Sequence, residues 1–297
     1  MNKANESLVF GHYLVAFVDL LGQRDKLRKF AAIPTEQNGA EHQEFVALVK
    51  DTIGAVDDLQ QTSRRFFDQF GKSEQDSILQ HMPGLHKYNK TEIKFQHFSD
   101  GLVIYVPLKE DDGYSPAKGV YAALAACGML CLIGLAKKRP VRIGVAIGIA
   151  AELRDNELYG KAVAEAYEAE SFVAQYPRVV VTNDVLSYLK EKAGQQCDKN
   201  DFGCKLKSGL AEQSIKMLSP DFDGRIIVNY LGEFFRNHLL AGVDDGLNNI
   251  AYQYVSEELA RQQEKQNTKL AFRYSLLHGY FFENLGEIKP VGNQPQI

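Results

Sequence analysis

Residues 91 to 108, TEIKFQHFSDGLVIYVPL, carry the clearest structural signal in the chain. Two β-prone runs flank Ser99, Asp100 and Gly101. Asp-Gly between alternating hydrophobic residues is typical of a tight β-hairpin. The sequence therefore predicts two antiparallel strands with Asp100 at the tip of the turn.

Further elements are predicted on both sides of this hairpin. YLVAFVD, residues 13 to 19, is an apolar run that ends in Asp19, as expected for a central strand. Strand patterns also cover residues 141–150, 178–183 and 225–231, and helical patterns cover residues 44–70, 160–174 and 184–194. Loops are predicted over residues 31–43, 71–90 and 195–208.

This order of elements predicts an α+β fold with a mostly antiparallel sheet. Because no boundary interrupts the pattern earlier, residues 8–232 are expected to form one domain. Residues 233–285 have mostly helical spacing. We therefore expect residues 233–297 to be a helical C-terminal extension packed on the same domain.

Composition indicates a soluble globular protein. The chain has 297 residues, of which 45% are hydrophobic and 24% charged, and its net charge is −4. Proteins that bind nucleic-acid phosphates are usually basic, so no nucleic-acid partner is expected. The N-terminal residues lack the pattern of a signal peptide, and a cytoplasmic location is expected.

An uncharged run of 18 residues, 119–136, is long enough to be compared with a membrane-spanning helix. It is rich in alanine and glycine, and strand patterns flank it. A helix buried inside a large fold has the same composition. We favour the buried helix and expect no stable membrane insertion.

The four cysteines do not indicate a disulfide scaffold or a zinc site. Cys127 and Cys131 lie on the apolar helix and are expected to be small core residues. Cys197 and Cys204 lie in a predicted loop and lack a matching CxxC or histidine partner, so a zinc site is not expected. Walker, serine-hydrolase and dinucleotide fingerprints are also missing from the sequence.

Two carboxylates stand out because a strand end and a hairpin tip can meet at one edge of a sheet. Asp19 and Asp100 would repel each other unless a cation lay between them. Mg²⁺ or Mn²⁺ suits such a place, since hard cations take oxygen ligands and keep room for substrate phosphates. The alternative is that Asp19 caps a helix and Asp100 serves only the turn.

Four motifs between residues 13 and 183 occur in a recognisable order: FVDLLG, FSDGLVIY, RIGVAIG and LYGKAVAEAYEAE. Together they resemble the class III nucleotide cyclase catalytic domain. The resemblance implies a ferredoxin-like fold, a head-to-tail homodimer with active sites at the interface, and two divalent cations, Mn²⁺ or Mg²⁺. It implies that Asp19, Asp100 and the main-chain carbonyl of Leu20 are the metal ligands.

The chain departs from purine cyclases of that family at four positions. Gln96 stands where a lysine reads the base, and Glu157 occupies the partner position. Ala164 and Glu168 replace the asparagine and arginine that serve the transition state. The metal-binding pair is retained, while the base-reading and transition-state sets are different.

The motif style, including YGKAVAEAYEAE followed by YPRVVV, is most similar to the Pycsar pyrimidine cyclases of bacterial anti-phage defence. That resemblance implies a cyclase making cyclic UMP or cyclic CMP, with UTP preferred to CTP, and a separate effector protein that senses the product. The alternatives are a purine cyclase with a rearranged pocket and an inert cyclase-like dimeric nucleotide-binding module.

Charge on the leaving pyrophosphate needs cationic donors. The candidates are Arg142, Lys161 and Arg178, with Arg24 and Lys26 at the start of the first helix. Arg142 is preferred because its strand is otherwise apolar. It could equally be a structural arginine paired with Glu152 or Glu168, and each of the others could be a solvated surface cation.

Base recognition is assigned to the hairpin. Gln96, His97 or Ser99 could pair with a pyrimidine edge, since glutamine carries both a donor and an acceptor. A pyrimidine is smaller than a purine and needs a narrower pocket, and the side chains of Phe95, Phe98 or Tyr159 could fill the extra space. Strand alternation directs either Gln96 or His97 to solvent, and the sequence leaves open which.

Overall fold

One eight-stranded sheet organises the chain in the computed structural model, which describes residues 10–22, 33–34, 39–77, 91–97, 101–110, 115–153, 157–241 and 246–286. The strands are β1 (Phe10–Leu20), β2 (Lys94–His97), β3 (Gly101–Pro107), β4 (Val141–Glu152), β5 (Leu158–Gly160), β6 (Val179–Val181), β7 (Leu218–Pro220) and β8 (Ile226–Val228).

Eight α-helices lie in the described part of the chain. They are α1 (Ala40–Ser77), α2 (Pro116–Ala136), α3 (Lys161–Glu168), α4 (Asn183–Ala193), α5 (Phe202–Lys216), α6 (Glu233–His238), α7 (Gly246–Glu264) and α8 (Thr268–Leu285). A π-helical turn, Ala169–Ala174, continues α3 and is called the π segment below.

The strand order is β2-β3-β1-β4-β6-β8-β7, with β5 paired to β4. Strands β1 to β4, with α1 and α2 as the two connections, form the βαββαβ unit of ferredoxin-like folds. Every pairing is antiparallel except that of β4 with β6. The predicted α+β, ferredoxin-like fold with a mostly antiparallel sheet is therefore confirmed.

The predicted pairing of the two hairpin strands is also confirmed, because His97 on β2 lies opposite Leu102 on β3. The turn with Asp100 at its tip falls on residues 98–100, outside the described part of the chain. Strand β1 lies beside β3 with Asp19 opposite Gly101. On its other side β1 pairs with β4, and there Asp19 is opposite Arg142. Three segments distant in sequence thus meet at the end of β1.

Helix α2 forms the main core on one face of the sheet. Leu124 and Leu132 on α2 and Leu14 and Val18 on β1 are fully buried. Among the described residues, α2 is the one helix long and apolar enough to cross a membrane, and 89% of its apolar 18-residue stretch is buried. Cys127 and Cys131 are buried free thiols on this helix, as predicted, and the buried-helix interpretation is confirmed.

The C-terminal helices belong to the same core. Val255 on α7 and Leu277 and Phe281 on α8 are fully buried and cluster with the residues of α2. The helical prediction for residues 233–285 is confirmed for the described residues. The division into two units at residue 232 stays a prediction.

Three predicted loops are shorter in the structure. Helix α1 begins at Ala40, within the segment 31–43, and continues to Ser77, within the segment 71–90. Helix α5 begins at Phe202, within the segment 195–208. The reason for the early start of α5 is local: Asp201 caps the helix by accepting a hydrogen bond from the Cys204 amide, 2.8 Å away. Residues 78–90 lie outside the described part of the chain.

A disulfide joins Cys197 and Cys204 across the connection between α4 and α5, with a Cα–Cα distance of 5.6 Å. This disulfide was not predicted from the sequence. Disulfides are uncommon in a reducing cytoplasm, so the predicted location stays a prediction.

Helix α3 and the π segment cover the opposite face of the sheet through a close approach at Gly144. A Cβ at this position would overlap the carbonyl oxygen of Ala166 and the amide nitrogen of Glu170, and would lie 2.9 Å from the Cβ of Ala169. The missing side chain lets the π segment lie directly on β4.

We expect Gly144→Ala to lower the free energy of unfolding by about 1–3 kcal/mol or more, because the backbone on both sides must move apart. Urea unfolding measures this. The matched control is Gly209→Ala on α5, where a Cβ meets nothing within 4 Å. That change should raise stability by about 0.5–1 kcal/mol, and equal effects at both sites would contradict the close approach.

Candidate active site

A charged triad of Asp19, Arg142 and Glu170 lies where β1, β4 and the π segment meet. Arg142 Nη2 is 3.1 Å from Asp19 Oδ2 and 2.7 Å from Glu170 Oε1. Asp19 and Arg142 are direct cross-strand neighbours, so their side chains lie on the same face of the sheet. The triad joins three elements through one guanidinium group.

Glu170 is the buried member of the triad, with 1% of its surface exposed. Burial raises its pKa, and the neighbouring Asp19 carboxylate raises it further. The Ser171 hydroxyl and the Arg142 guanidinium act in the opposite direction. Arg142 therefore supplies the positive charge that lets two carboxylates lie side by side.

The structural partners of Arg142 differ from those that the sequence suggested. Glu152 is bound by Lys94, whose Nζ lies 2.7 Å from Oε2. Glu168 is exposed on α3, and Glu170 takes its place. The π segment has a wider turn than an α-helix, so a 3.6-residue period could not predict which glutamate faces the sheet.

The two candidate base-reading residues on β2 point in different directions. His97 is exposed, and its Nε2 lies 3.2 Å from Arg64 Nη2. Burial and the Arg64 charge together lower the His97 pKa. Gln96 Oε1 accepts a hydrogen bond from the Leu158 amide of β5, 2.9 Å away. Gln96 thus connects the hairpin to β5, and His97 is the residue directed to solvent.

Lys161 and Glu157 lie on either side of β5 and are exposed. The Lys161 side chain is 65% exposed and pairs with Glu165 at 3.2 Å. The Glu157 carbonyl accepts a hydrogen bond from the Leu153 amide at 2.7 Å, and its carboxylate faces solvent. Their predicted roles in nucleotide binding stay predictions.

Arg178 has a structural position, which corrects the expectation that it is available to a nucleotide. It is 3% exposed, and its guanidinium pairs with Asp221 and with Asp223, the latter at 2.8 Å. It also donates to the carbonyl oxygens of Ala174 at 3.1 Å and Val173 at 2.7 Å. These bonds tie the π segment to the turn between β7 and β8.

Several predicted site residues lie outside the described part of the chain: Arg24, Lys26, Phe98, Ser99 and Asp100. Leu20, the predicted main-chain ligand, ends β1 and is buried. Within the described residues, no group of three or more histidine, cysteine, aspartate or glutamate side chains could hold a metal ion.

Two residues near this edge were not predicted from the sequence. Glu170 had no signal that set it apart from the other glutamates of the segment. Arg273 on α8 interrupts the apolar run LAFRYSLL, which was an available signal. Burial lowers the pKa of Arg273, and the positive charge of the nearby Arg142 lowers it further.

No protein-family model and no curated protein matches the sequence. The structure is similar to a bacterial light-regulated adenylyl cyclase, with 14% identity, a TM-score of 0.40 and coverage of 63% of this chain and 47% of that one. This chain thus spans about half the length of that protein.

Two further solved structures show similar values. The catalytic core of a rhodopsin-guanylyl cyclase in complex with ATPαS has 14% identity and a TM-score of 0.39, covering 66% of this chain and 94% of that one. A class III adenylyl cyclase-like ATP-binding protein from Pseudomonas aeruginosa has 14% identity and a TM-score of 0.42, covering 70% and 43%. Since these superpositions are partial, the fold is assigned from the strand pairing above.

We expect Arg178→Gln to cost about 3–5 kcal/mol of stability at neutral pH, because it leaves two carboxylates without their partner. Burial alone would raise the pKa of Asp223, but the hydrogen bond from Arg178 keeps this pKa below its ordinary value. The stability from this carboxylate is therefore present above its ordinary pKa of 3.8 and is lost as the pH falls through the lower native value.

The difference between wild type and Arg178→Gln should accordingly shrink below about pH 4 in urea unfolding. Arg225→Gln is the matched control, because Arg225 is an exposed arginine in the turn between β7 and β8, which also carries Asp221 and Asp223. It should change stability by less than about 0.5 kcal/mol. A stability difference between wild type and Arg178→Gln that does not change with pH would refute the stabilising role of the Arg178–Asp223 ion pair.

Proposed function

We propose that this chain is a class III-type nucleotide cyclase that converts UTP to 3′,5′-cyclic UMP and pyrophosphate. In this proposal the product is a second messenger in anti-phage defence, and a separate effector protein senses it. The observation that carries the proposal is the pairing of β1 with β3, in which Asp19 lies opposite Gly101, the residue that follows Asp100.

This register supports the use of both carboxylates at one site. Asp19 is one residue from the end of β1, and Gly101 begins β3. Asp100 precedes Gly101 in the sequence, so the proposal requires its carboxylate to meet that of Asp19 at this edge of the sheet. The resemblance of the motifs FVDLLG and FSDGLVIY to class III cyclases implies that the first strand lies beside this hairpin, and β1 pairs with β3.

The reaction joins the 3′-oxygen of the ribose to the α-phosphorus. The hydroxyl proton leaves, the new P–O bond forms, and the bond from the α-phosphorus to pyrophosphate breaks in line. Asp19, Asp100 and the Leu20 carbonyl would hold two divalent cations, Mn²⁺ or Mg²⁺, whose chemistry is to lower the pKa of the attacking hydroxyl and to neutralise phosphate charge. This set of oxygen donors suits hard cations.

Arg142 is proposed to neutralise charge that develops on the leaving pyrophosphate. Its shorter ion pair is with Glu170 at 2.7 Å, and its longer one is with Asp19 at 3.1 Å. Because Glu170 is buried, it holds the guanidinium in place if Asp19 turns to a cation. Glu170 is a positioning residue in this scheme.

The hydrogen bond at Gln96 supports a uracil base. Its Oε1 accepts from the Leu158 amide, which leaves the NH₂ group to donate. Position 4 of uracil carries an acceptor, whereas position 4 of cytosine carries a donor. A residue that offers a donor therefore favours UTP over CTP.

The resemblance also implies a homodimer with active sites at the interface, and we include this in the proposal. Large apolar side chains are exposed on β4, β5 and α3, where Ile149 is 50%, Tyr159 73% and Tyr167 46% exposed. Exposed apolar surface of this kind is typical of interaction sites.

A second candidate function is an inert cyclase-like dimeric nucleotide-binding module. The specific observation in its favour is that Arg142 forms an ion pair with Asp19, the proposed metal ligand. In addition, Ala164 and Glu168 replace the asparagine and arginine that serve the transition state in purine cyclases. Such a module would bind nucleotide without turnover.

The test is to incubate the purified chain separately with ATP, GTP, CTP and UTP, with Mn²⁺ or Mg²⁺, and to identify products by mass and chromatography. Cyclic UMP is the expected product. Cyclic CMP or a cyclic purine would retain the reaction and refute the base assignment. A folded chain that makes no product with any combination would favour the inert module.

Asp19→Asn should abolish the product, because the carboxylate charge is lost while the shape is kept. The matched control is Asp198→Asn, an exposed aspartate in the connection before α5. This control should keep wild-type turnover. Full activity of Asp19→Asn would exclude Asp19 from the catalytic site.

Gln96→Glu tests the base assignment separately. Glutamate can still accept from the Leu158 amide but offers no donor, so the ratio of kcat/KM for UTP to that for CTP should fall by roughly tenfold. Steady-state kinetics with both nucleotides measure this. An unchanged ratio would mean that Gln96 serves only to fix β5.

A further inference from the structure

A cleft of ≈ 380 Å³ opens between the π segment, the turn joining β7 and β8, and helix α8. It is called the cationic cleft here, because four positively charged side chains line it: Arg178, Arg225, Lys269 and Arg273. The single carboxylate in its lining is Asp223. Neither Asp19 nor Gln96 lines it, so it is separate from the proposed catalytic centre.

The positive charge of this cleft is not balanced by the described residues. Arg178 is compensated, because it pairs with Asp221 and Asp223. Arg225, Lys269 and Arg273 have no ion pair with any residue that the structure describes. Three cations without an ion pair among the described residues therefore line one concave surface of a protein whose net charge is −4.

Arg273 is the most informative of the three. It lies on the inner part of α8 and is partly buried, unlike the exposed Arg225 and Lys269. Burial disfavours its charged form, and the nearby Arg142 charge adds to this effect. An anion bound in the cleft would offset both costs.

Three phenylalanines also line the cleft, and all three are exposed. Phe172 is 67% exposed, Phe222 62% and Phe272 61%. Phe222 already lies on a cation, because the Arg178 guanidinium is 5.7 Å from its ring centroid. Exposed ring faces beside free cations suit a ligand that carries both a planar ring and a negative charge.

We propose that the cationic cleft binds a nucleoside phosphate, with its phosphate groups on the three uncompensated cations and its base against the exposed phenylalanines. The volume is that of a small-molecule site. Single-stranded nucleic acid would need a groove that follows several phosphates, and the net charge of the chain does not favour that. The site therefore takes a mononucleotide.

The experiment is isothermal titration of the full chain with UTP and with ATP, in EDTA and at low salt. Tripolyphosphate lacks the ring and uridine lacks the charge, so both should bind more weakly than UTP. The double variant Lys269→Gln/Arg273→Gln should weaken UTP and ATP binding by at least roughly tenfold. Phe272→Ala should weaken UTP binding but leave tripolyphosphate unchanged.

The matched control is Lys265→Gln, which removes an exposed lysine just before α8. It should leave affinity unchanged. Lys269 and Phe272 are exposed, so single variants at these positions report on binding even if loss of Arg273 disturbs the fold. Equal affinity of wild type and Lys269→Gln, or no saturable binding of either nucleotide, would overturn the proposal.

A 12-nucleotide single-stranded RNA that binds more tightly than UTP, and loses affinity in the same variants, would also overturn it in favour of a nucleic-acid site. The proposal is independent of the cyclase reaction. Asp19→Asn should retain nucleotide binding in the cleft whether or not the wild type forms a cyclic product.

Discussion

The ion pairs of Arg142 are the interaction on which the arrangement of the site depends. One guanidinium neutralises Asp19 at the end of β1 and Glu170 in the π segment, at 3.1 and 2.7 Å. Without it, two carboxylates would lie together on a largely buried face, and burial already raises the pKa of Glu170. The triad therefore fixes how the helical layer meets the sheet where the catalytic aspartate is proposed.

Gly144 and the π segment make this contact possible. The wider π turn directs Glu170 toward β4, and the missing side chain at position 144 lets the two backbones touch. Arg178 then secures the end of the π segment to the turn between β7 and β8. Local backbone geometry and two arginines thus cooperate to place the charged groups at one edge.

The C-terminal helices contribute more than a cover for the core. Helix α8 buries Leu277 and Phe281 against the apolar cluster around α2, which fixes its rotation. Because that face is buried, Lys269 and Arg273 are held toward the π segment and complete the cationic cleft. Arg273 is isolated within an apolar stretch of the sequence, and packing of α8 brings it beside the other cations of the cleft.

Elements with local signals could be predicted from the amino-acid sequence. The Asp-Gly turn predicted the β2–β3 hairpin, apolar runs predicted β1 and β4, and the uncharged stretch predicted a buried α2. Local patterns also identified Asp19 and Arg142 as unusual polar residues at the ends of apolar strands.

Which charged side chains meet depends on tertiary packing. Arg142 pairs with Glu170 and not with Glu152 or Glu168. Arg178 forms ion pairs with Asp221 and Asp223. Gln96 accepts a hydrogen bond from the Leu158 amide. Ion pairs join residues that are far apart in the chain, and their choice depends on strand register and on a π turn. A 3.6-residue or two-residue period carries no information about either.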